Sequence, residues 1–151
     1  MKKFSQEHQE TLETGTKNLL QAIGDDPNRD GLLETPKRVA KAYAEIFSAT
    51  GETQFDNYKL FPTDHDSDMV IVADIPFYAM CEHHLLPFFG TVIVGYVPDG
   101  EIIGLSKIPR LVDWAARRPS VQENLTALIC SEMQRIVHPK GVAVHVQSRH
   151  M

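Results

Sequence analysis

Apolar residues recur at helical spacing in the first third of the chain. The positions that share one helical face are Leu12, Leu19, Leu20 and Ile23. The pattern stops at Gly24, and glycine commonly follows the end of a helix. Thr35 then precedes Pro36, which suits an N-cap followed by proline at the first helical position. The sequence therefore predicts one helix that ends at Gly24 and a second helix from about residue 36 to residue 47.

Strand-like patterns follow a long polar connection over residues 48–68. Apolar and β-branched residues fill 69–75 and 91–97, and the Pro-Asp-Gly run at 98–100 predicts a turn before two isoleucines at 102–103. We expect these strands to form a hairpin around that turn. A last strand is predicted where valine alternates with other residues, at Val142, Val144 and Val146.

Two further helices are predicted between these strands. Ser106 suits the N-cap of a helix that ends at Pro119, and its apolar positions follow helical spacing at Ile108, Leu111, Val112, Ala115 and Ala116. Ser120 and Glu123 have the spacing of a capping box. The helix that this box opens has its inward positions at Val121, Leu125, Leu128, Ile129, Ile136 and Val137. The pattern as a whole predicts an α+β fold.

Length and composition favour one domain over residues 1–151. The chain has 151 residues, of which 42% are hydrophobic, enough for a single core. We expect an N-terminal helical part with its connection over about 1–68 and a core over 69–151. The polar start predicts neither a signal peptide nor a membrane span, so the expected location is cytoplasmic. A reducing compartment favours free thiols at Cys81 and Cys130.

The net charge of −5 argues against general nucleic-acid binding, which needs a basic face. An anionic substrate would therefore have to meet a local basic cluster. The paired cations are Lys37 with Arg38, Lys107 with Arg110, and Arg117 with Arg118. Each pair alone is typical of a solvated helix face. The Lys107 pair differs because it falls in a first helical turn, where the macrodipole disfavours cations and free N–H groups attract anions, so we interpret it with Ser106 as a phosphate cradle.

The run Cys81-Glu82-His83-His84 carries the most distinctive chemistry in the chain. Cys81 and His84 are spaced to chelate one Zn²⁺ ion through sulfur and nitrogen, which leaves His83 to move protons near neutral pH. A catalytic zinc usually has three protein ligands and a water, so one more ligand is expected from elsewhere. The alternative is a half-buried cysteine beside two surface histidines.

Four ordered blocks resemble GTP cyclohydrolase I. They read DPNRDGLLETPKRVA at 26–40, CEHHLLPFFG at 81–90, GLSKIPR at 104–110 and RRPSVQENLT at 117–126. The resemblance, to the bacterial folate-pathway type, covers about residues 15–151. It implies the tunnelling fold (T-fold), an antiparallel sheet with two helices on one face after an N-terminal helical part. It also implies a homodecamer of two face-to-face pentamers, with active sites at subunit boundaries.

The reaction implied by the resemblance is the zinc-dependent hydrolytic opening of the guanine imidazole ring of GTP. Its products are formate and, after rearrangement of the ribose and closure, 7,8-dihydroneopterin triphosphate. The positions that match the proton-transfer histidines are His83 and His150, and Ser106 matches a residue near the ribose. The metal would be held by Cys81 and His84.

The resemblance also implies which side chains bind GTP. Gln122 and Glu123 match the guanine-reading pair, although the spacing of Glu123 from Ser120 alone favours the capping role. The positions that match triphosphate-binding residues are Lys107, Arg110 and Arg38.

Beyond Met151 the resembled family continues to a cysteine that supplies the third zinc ligand. We therefore expect the chain as given to hold zinc more weakly than an extended form. An alternative function is a GTP-binding tunnelling-fold module that is catalytically impaired. Two others are a zinc-stabilised structural protein and the nitrile reductase of queuosine synthesis; the Cys-Glu-His-His spacing and the absence of that reductase's signature disfavour the latter.

Overall fold

The structure is a computed structural model that describes residues 4–65 and 67–151. The described residues form an α+β protein with two compact units, one ending at Thr50 and the other beginning at Gly51. No helix within the described ranges is long and apolar enough to span a membrane.

The N-terminal unit contains α1 (Gln6–Ala22) and α2 (Thr35–Ile46). The hydroxyl of Ser5 caps α1 by accepting a hydrogen bond from the His8 N–H at 3.2 Å. Gly24 follows the helix with φ of 89°, a conformation that glycine adopts without strain. Both predicted helices are confirmed, but the predicted cap of α2 is wrong. Glu34 occupies the N-cap position without a side-chain bond, because the helix begins one residue early at Thr35.

The C-terminal unit contains six strands and two helices in its described residues. In chain order they are β1 (Leu60–Pro62), β2 (Val70–Cys81), β3 (Pro87–Val97), β4 (Glu101–Ile103), α3 (Lys107–Ala116), β5 (Pro119–Ser120), α4 (Gln122–Val137) and β6 (Gly141–His150). The main sheet has the order β5-β2-β3-β6, with β5 parallel to β2 and the other pairs antiparallel.

The predicted hairpin around residues 98–100 is wrong. β4 pairs with β1, which lies in the connection that the sequence pattern left without structure, and the register joins Leu60 to Ile103. The reason is that β3 already pairs with β2 on one edge and with β6 on the other, so it has no free edge for β4. The Tyr96 hydroxyl at the end of β3 still accepts a bond from the Ile103 N–H at 3.3 Å.

The core lies between one face of the main sheet and the two helices of this unit. Alternate residues of the strands are buried on that face, among them Phe77, Phe88, Val92, Val94 and Val146. Helix α3 packs against β2, and α4 packs against β6. Their fully buried side chains include Ile108, Leu111, Val112, Leu125, Ile129 and Met133. This arrangement is compatible with the tunnelling fold.

A buried charge ties α4 to the start of this unit. Glu132, only 5% exposed, accepts hydrogen bonds from the Arg135 guanidinium at 2.7 Å and from the Phe55 N–H at 2.7 Å. Arg135 also donates to the Phe55 carbonyl at 2.9 Å, so both polar groups of that peptide are held. Burial alone would raise the pKa of Glu132, but these hydrogen bonds outweigh it and keep the pKa below its ordinary value.

Candidate active site

The Cys-Glu-His-His motif lies at the tip of the β2–β3 hairpin, as the sequence predicts. Cys81 is the last residue of β2, and the turn that follows leads to β3 at Pro87. The Cys81 N–H donates to the Leu86 carbonyl, and the Leu85 N–H donates to the Cys81 carbonyl, each at 2.8 Å. Leu85 has φ of 55°, which is uncommon for a bulky side chain. The backbone of the turn is therefore tightly constrained.

The two predicted zinc ligands are close enough to share one ion. Cys81 Sγ and His84 Nδ1 are 4.0 Å apart. Tetrahedral zinc with bonds of about 2.3 Å to sulfur and about 2.0 Å to nitrogen would hold these atoms about 3.5 Å apart. A small side-chain adjustment would satisfy that spacing, so the pair fits zinc. Within the described ranges, no group of three or more Cys, His, Asp or Glu side chains is arranged to bind a metal ion, either at this turn or elsewhere.

His83 differs from His84 in its surroundings. Its Nε2 lies 3.9 Å from a carboxylate oxygen of Glu82, and its side chain is 65% exposed. The rings of His83 and His84 are nearly perpendicular, with centroids 6.1 Å apart. His83 therefore contacts a carboxylate whereas His84 faces the Cys81 sulfur, and the roles assigned to the two histidines stay a prediction.

The connection between α3 and α4 holds this turn from the side. β5 pairs with the end of β2, so that Pro119 lies opposite Met80 and Ser120 opposite Cys81. The Ser120 carbonyl accepts a hydrogen bond from the Glu82 N–H at 2.9 Å. Ser120 is buried and therefore provides a firm anchor for the turn.

This pairing makes the predicted capping box wrong. Helix α4 begins at Gln122 with Val121 at its N-cap, so Glu123 is the second helical residue rather than the third. The Ser120 hydroxyl lies against the Val121 carbonyl at 3.2 Å instead of capping the helix. The pairing with β2 draws Ser120 into the sheet, which is why local spacing misjudged the cap. The Glu123 side chain is exposed, and among the described residues it has no hydrogen bond or ion pair.

His150, at the end of β6, lies beside Gln122 at the start of α4. The His150 ring stacks on Phe88 with centroids 5.0 Å apart and planes within 2° of parallel. His150 Nε2 lies 3.1 Å from Ser148 Oγ and 3.3 Å from Gln122 Oε1. Ser148 Oγ also donates to Gln122 Oε1, and Gln122 Nε2 donates to the Val146 carbonyl at 3.1 Å. Gln122 thus links α4 to β6 by hydrogen bonds. Two residues earlier, Ser120 links the segment between α3 and α4 to the Cys-Glu-His-His turn.

The predicted phosphate cradle forms a separate group at the start of α3. Ser106 takes the N-cap position, as expected, but its hydroxyl makes no capping bond. Lys107 Nζ donates to Asn57 Oδ1 at 2.9 Å, and Arg110 is exposed one turn later. Arg38 lies exposed on α2, in the other unit. Within the described ranges, no hydrogen bond links Ser106, Lys107 or Arg110 to the motif or to His150.

Sequence reasoning missed three residues that hold these side chains in place. Phe88 supports the His150 ring, Ser148 bonds its Nε2, and Asn57 holds the Lys107 ammonium. Phe88 pairs with His150 across β3 and β6, a register that no local pattern shows. The signal for Ser148 was available, because residues two apart on a strand share a face.

The fold and these side chains describe a candidate hydrolase of the α+β class. A family model for GTP cyclohydrolase I matches residues 12–151. The GTP cyclohydrolase 1 of Lactiplantibacillus plantarum is 55% identical over 149 residues, covering 98% of this chain and 79% of that protein. The GTP cyclohydrolase 1 of Enterococcus faecalis is 52% identical over 149 residues, covering 98% of this chain and 80% of that one.

A longer relative is similar over most of this chain. The bifunctional protein FolKE of Lactococcus lactis subsp. lactis is 56% identical over 143 residues, which cover 93% of this chain and 41% of that protein. These similarities span nearly the whole chain. The chain belongs to the GTP cyclohydrolase I family, whose members are generally zinc-dependent hydrolases.

Proposed function

We propose that this chain catalyses the GTP cyclohydrolase I reaction, the hydrolytic opening of the GTP imidazole ring with release of formate and formation of 7,8-dihydroneopterin triphosphate. Family membership supports this function and a place in folate biosynthesis. The observation that carries the assignment to particular residues is the shared anchor at Ser120–Gln122. The Ser120 carbonyl accepts a hydrogen bond from the turn that contains Cys81 and His84, and the Gln122 side chain contacts His150.

Cys81 and His84 are the side chains that would hold Zn²⁺. Their separation supports this role, as does the rigid backbone between them. Bound zinc would supply a nucleophilic water that ionises near neutral pH.

His83 and His150 are proposed to transfer protons during ring opening and the later rearrangement. His83 is exposed beside the metal ligands, and His150 is fixed on Phe88 with one nitrogen engaged. A solvent-accessible imidazole exchanges protons with water, whereas a fixed one presents a defined nitrogen to substrate. Ser106 is proposed to lie near the ribose.

Glu123 and Gln122 are proposed to read guanine. The Glu123 carboxylate, which accepts no hydrogen bond from the residues that the structure describes, can accept from the two N–H donors on the pyrimidine edge of the base. Gln122 uses both lone pairs of its amide oxygen on Ser148 and His150, and one N–H on Val146. One amide N–H remains, and it suits the carbonyl oxygen of guanine. The two residues would then complement both the donors and the acceptor of the base.

Lys107, Arg110 and Arg38 are proposed to bind the triphosphate. Lys107 begins α3 and Arg110 follows one turn later, and among the described residues the first turn of this helix includes no acidic side chain. The Lys107 and Ile108 N–H groups already donate to the Gly104 and Leu105 carbonyls, so the attraction for phosphate would come from the two cationic side chains and the positive end of the helix dipole. The role of Arg38 rests on the family resemblance alone. The same resemblance supports the tunnelling fold, assembly into a decamer with active sites at subunit boundaries, and a cytoplasmic location.

Conversion of GTP to a pterin tests the function directly. The zinc-loaded protein is incubated with GTP, and the product is oxidised and detected by fluorescence, with ATP as the control substrate. We expect a fluorescent pterin and stoichiometric formate from GTP only. GTP binding without either product would instead favour the non-catalytic binding module.

A further inference from the structure

The amide of Gln122 has a defined orientation. One end of it lies 3.1 Å from the Val146 carbonyl oxygen, which can only accept a hydrogen bond. That end must therefore be the nitrogen, and the amide oxygen must face Ser148 and His150. The orientation follows from the chemistry of the partner.

This orientation determines where the Ser148 hydroxyl proton goes. An amide oxygen cannot donate, so the contact between Ser148 Oγ and Gln122 Oε1 requires the serine proton. Ser148 Oγ then has only lone pairs for His150 Nε2 at 3.1 Å. Gln122 Oε1, at 3.3 Å from the same nitrogen, is also an acceptor. Both protein partners of Nε2 therefore accept, and Nε2 itself must carry the hydrogen.

The opposite nitrogen of the ring is left without a proton. Neutral imidazole has one N–H and one bare nitrogen, so a proton on Nε2 leaves Nδ1 able to accept. The parallel stack on Phe88 fixes the ring plane, and the contacts of Nε2 with Ser148 and Gln122 select one of the two ring orientations in that plane, because a half-turn would put a ring carbon there instead. The register that places His150 opposite Phe88 maintains this stack.

We propose that Ser148 is a positioning residue that, with Gln122, holds His150 as the Nε2–H tautomer, so that Nδ1 is the nitrogen that exchanges protons with the substrate. The proposal rests on the proposed function for its catalytic consequence, although the tautomer itself does not depend on turnover. It assigns a role to a side chain that neither touches the substrate nor ligates a metal.

The tautomer is measured in the parent protein labelled with ¹⁵N-histidine. Long-range ¹H–¹⁵N spectra at pH 8 distinguish a protonated nitrogen from a bare one, and loss of the signal in His150→Ala assigns it. We expect Nε2 to be protonated and Nδ1 bare. An Nδ1–H tautomer in the folded parent would overturn the proposal, whatever the variants do.

Ser148→Ala provides the kinetic test. Removing the hydroxyl should lower kcat about tenfold, because acid–base catalysis by one group contributes roughly a hundredfold or more and only its alignment is lost. KM for GTP should stay within about twofold, since the substrate contacts remain. Ser148→Thr keeps the hydroxyl and should restore most of kcat. A parent-like kcat in Ser148→Ala would refute the positioning role.

A matched control separates this effect from general damage. Ser131 likewise donates its hydroxyl proton, here to the Leu128 carbonyl at 3.0 Å, but it lies exposed in the second half of α4. Ser131→Ala should leave both kcat and the His150 tautomer unchanged. If the parent shows the Nε2–H tautomer but makes no pterin, the proposed function fails while the structural inference stands.

Discussion

Replacing Glu123 by glutamine tests whether its carboxylate reads guanine. The side chain is exposed and has no partner among the described residues, and the capping box that could have explained it does not form. The change keeps the size of the side chain but removes its charge. It also replaces one acceptor oxygen with an N–H₂ group that would face the donors of the base.

The expected loss can be estimated for each role. A guanine-reading carboxylate makes charge-assisted bonds to the base, so its loss should cost roughly 1.5 to 3 kcal/mol of binding free energy. GTP affinity should then fall at least about tenfold. In the folded protein the carboxylate lies in the first turn of α4, where it interacts with the helix dipole. That interaction is worth about 0.3 to 1 kcal/mol, so the free energy of unfolding should change by less than binding does.

Helix α1 offers a matched control for the dipole effect. Glu7 is also exposed and is also the second residue of its helix. Glu7→Gln should reproduce any small shift in stability without changing GTP affinity. Calorimetric titration with GTP, alongside thermal unfolding of both variants, makes the comparison. A Glu123→Gln protein that melts substantially lower and still binds GTP like the parent would return Glu123 to a structural role.

Three further outcomes follow from the structure. His84→Ala should lose bound zinc, whereas His83→Ala should keep zinc and GTP affinity but form no pterin; equal loss of metal from both variants, measured by atomic absorption, would contradict the assigned roles. Gly90→Ala should lower stability by more than about 2 kcal/mol in urea unfolding, because its Cβ would lie 1.9 Å from a carbonyl oxygen of β6; an unchanged midpoint would show that the strands separate easily. The lowered pKa of Glu132 stabilises the fold above the ordinary carboxyl pKa, and this stabilisation is lost as pH falls through the lower folded pKa. Glu132→Gln should therefore lower the free energy of unfolding at pH 7 by about 3 kcal/mol and make it fall less steeply in acid. An equally steep fall in the variant would show that other groups cause the acid sensitivity.

The sequence alone determined the helices and most of the strands of this protein. Apolar periodicity located α1, α2, α3 and α4 to within a few residues, since the helical period is a local property of the chain. The short spacing of Cys81 and His84 also identified a pair that the folded turn does bring within 4.0 Å. The family resemblance came from ordered blocks of sequence and is confirmed by the matches over nearly the whole chain.

Only the tertiary structure decided how these elements form a site. The pairing of β4 with β1, and of β5 with β2, depends on which strand edges are already occupied. Because Ser120 joins the sheet in the second of these pairings, the predicted capping box does not form, and the Glu123 side chain is exposed. His150 meets Gln122 across 28 positions of sequence, because β6 and α4 pack together. Local pattern cannot report such contacts, since their energy exists only once distant segments are adjacent in space.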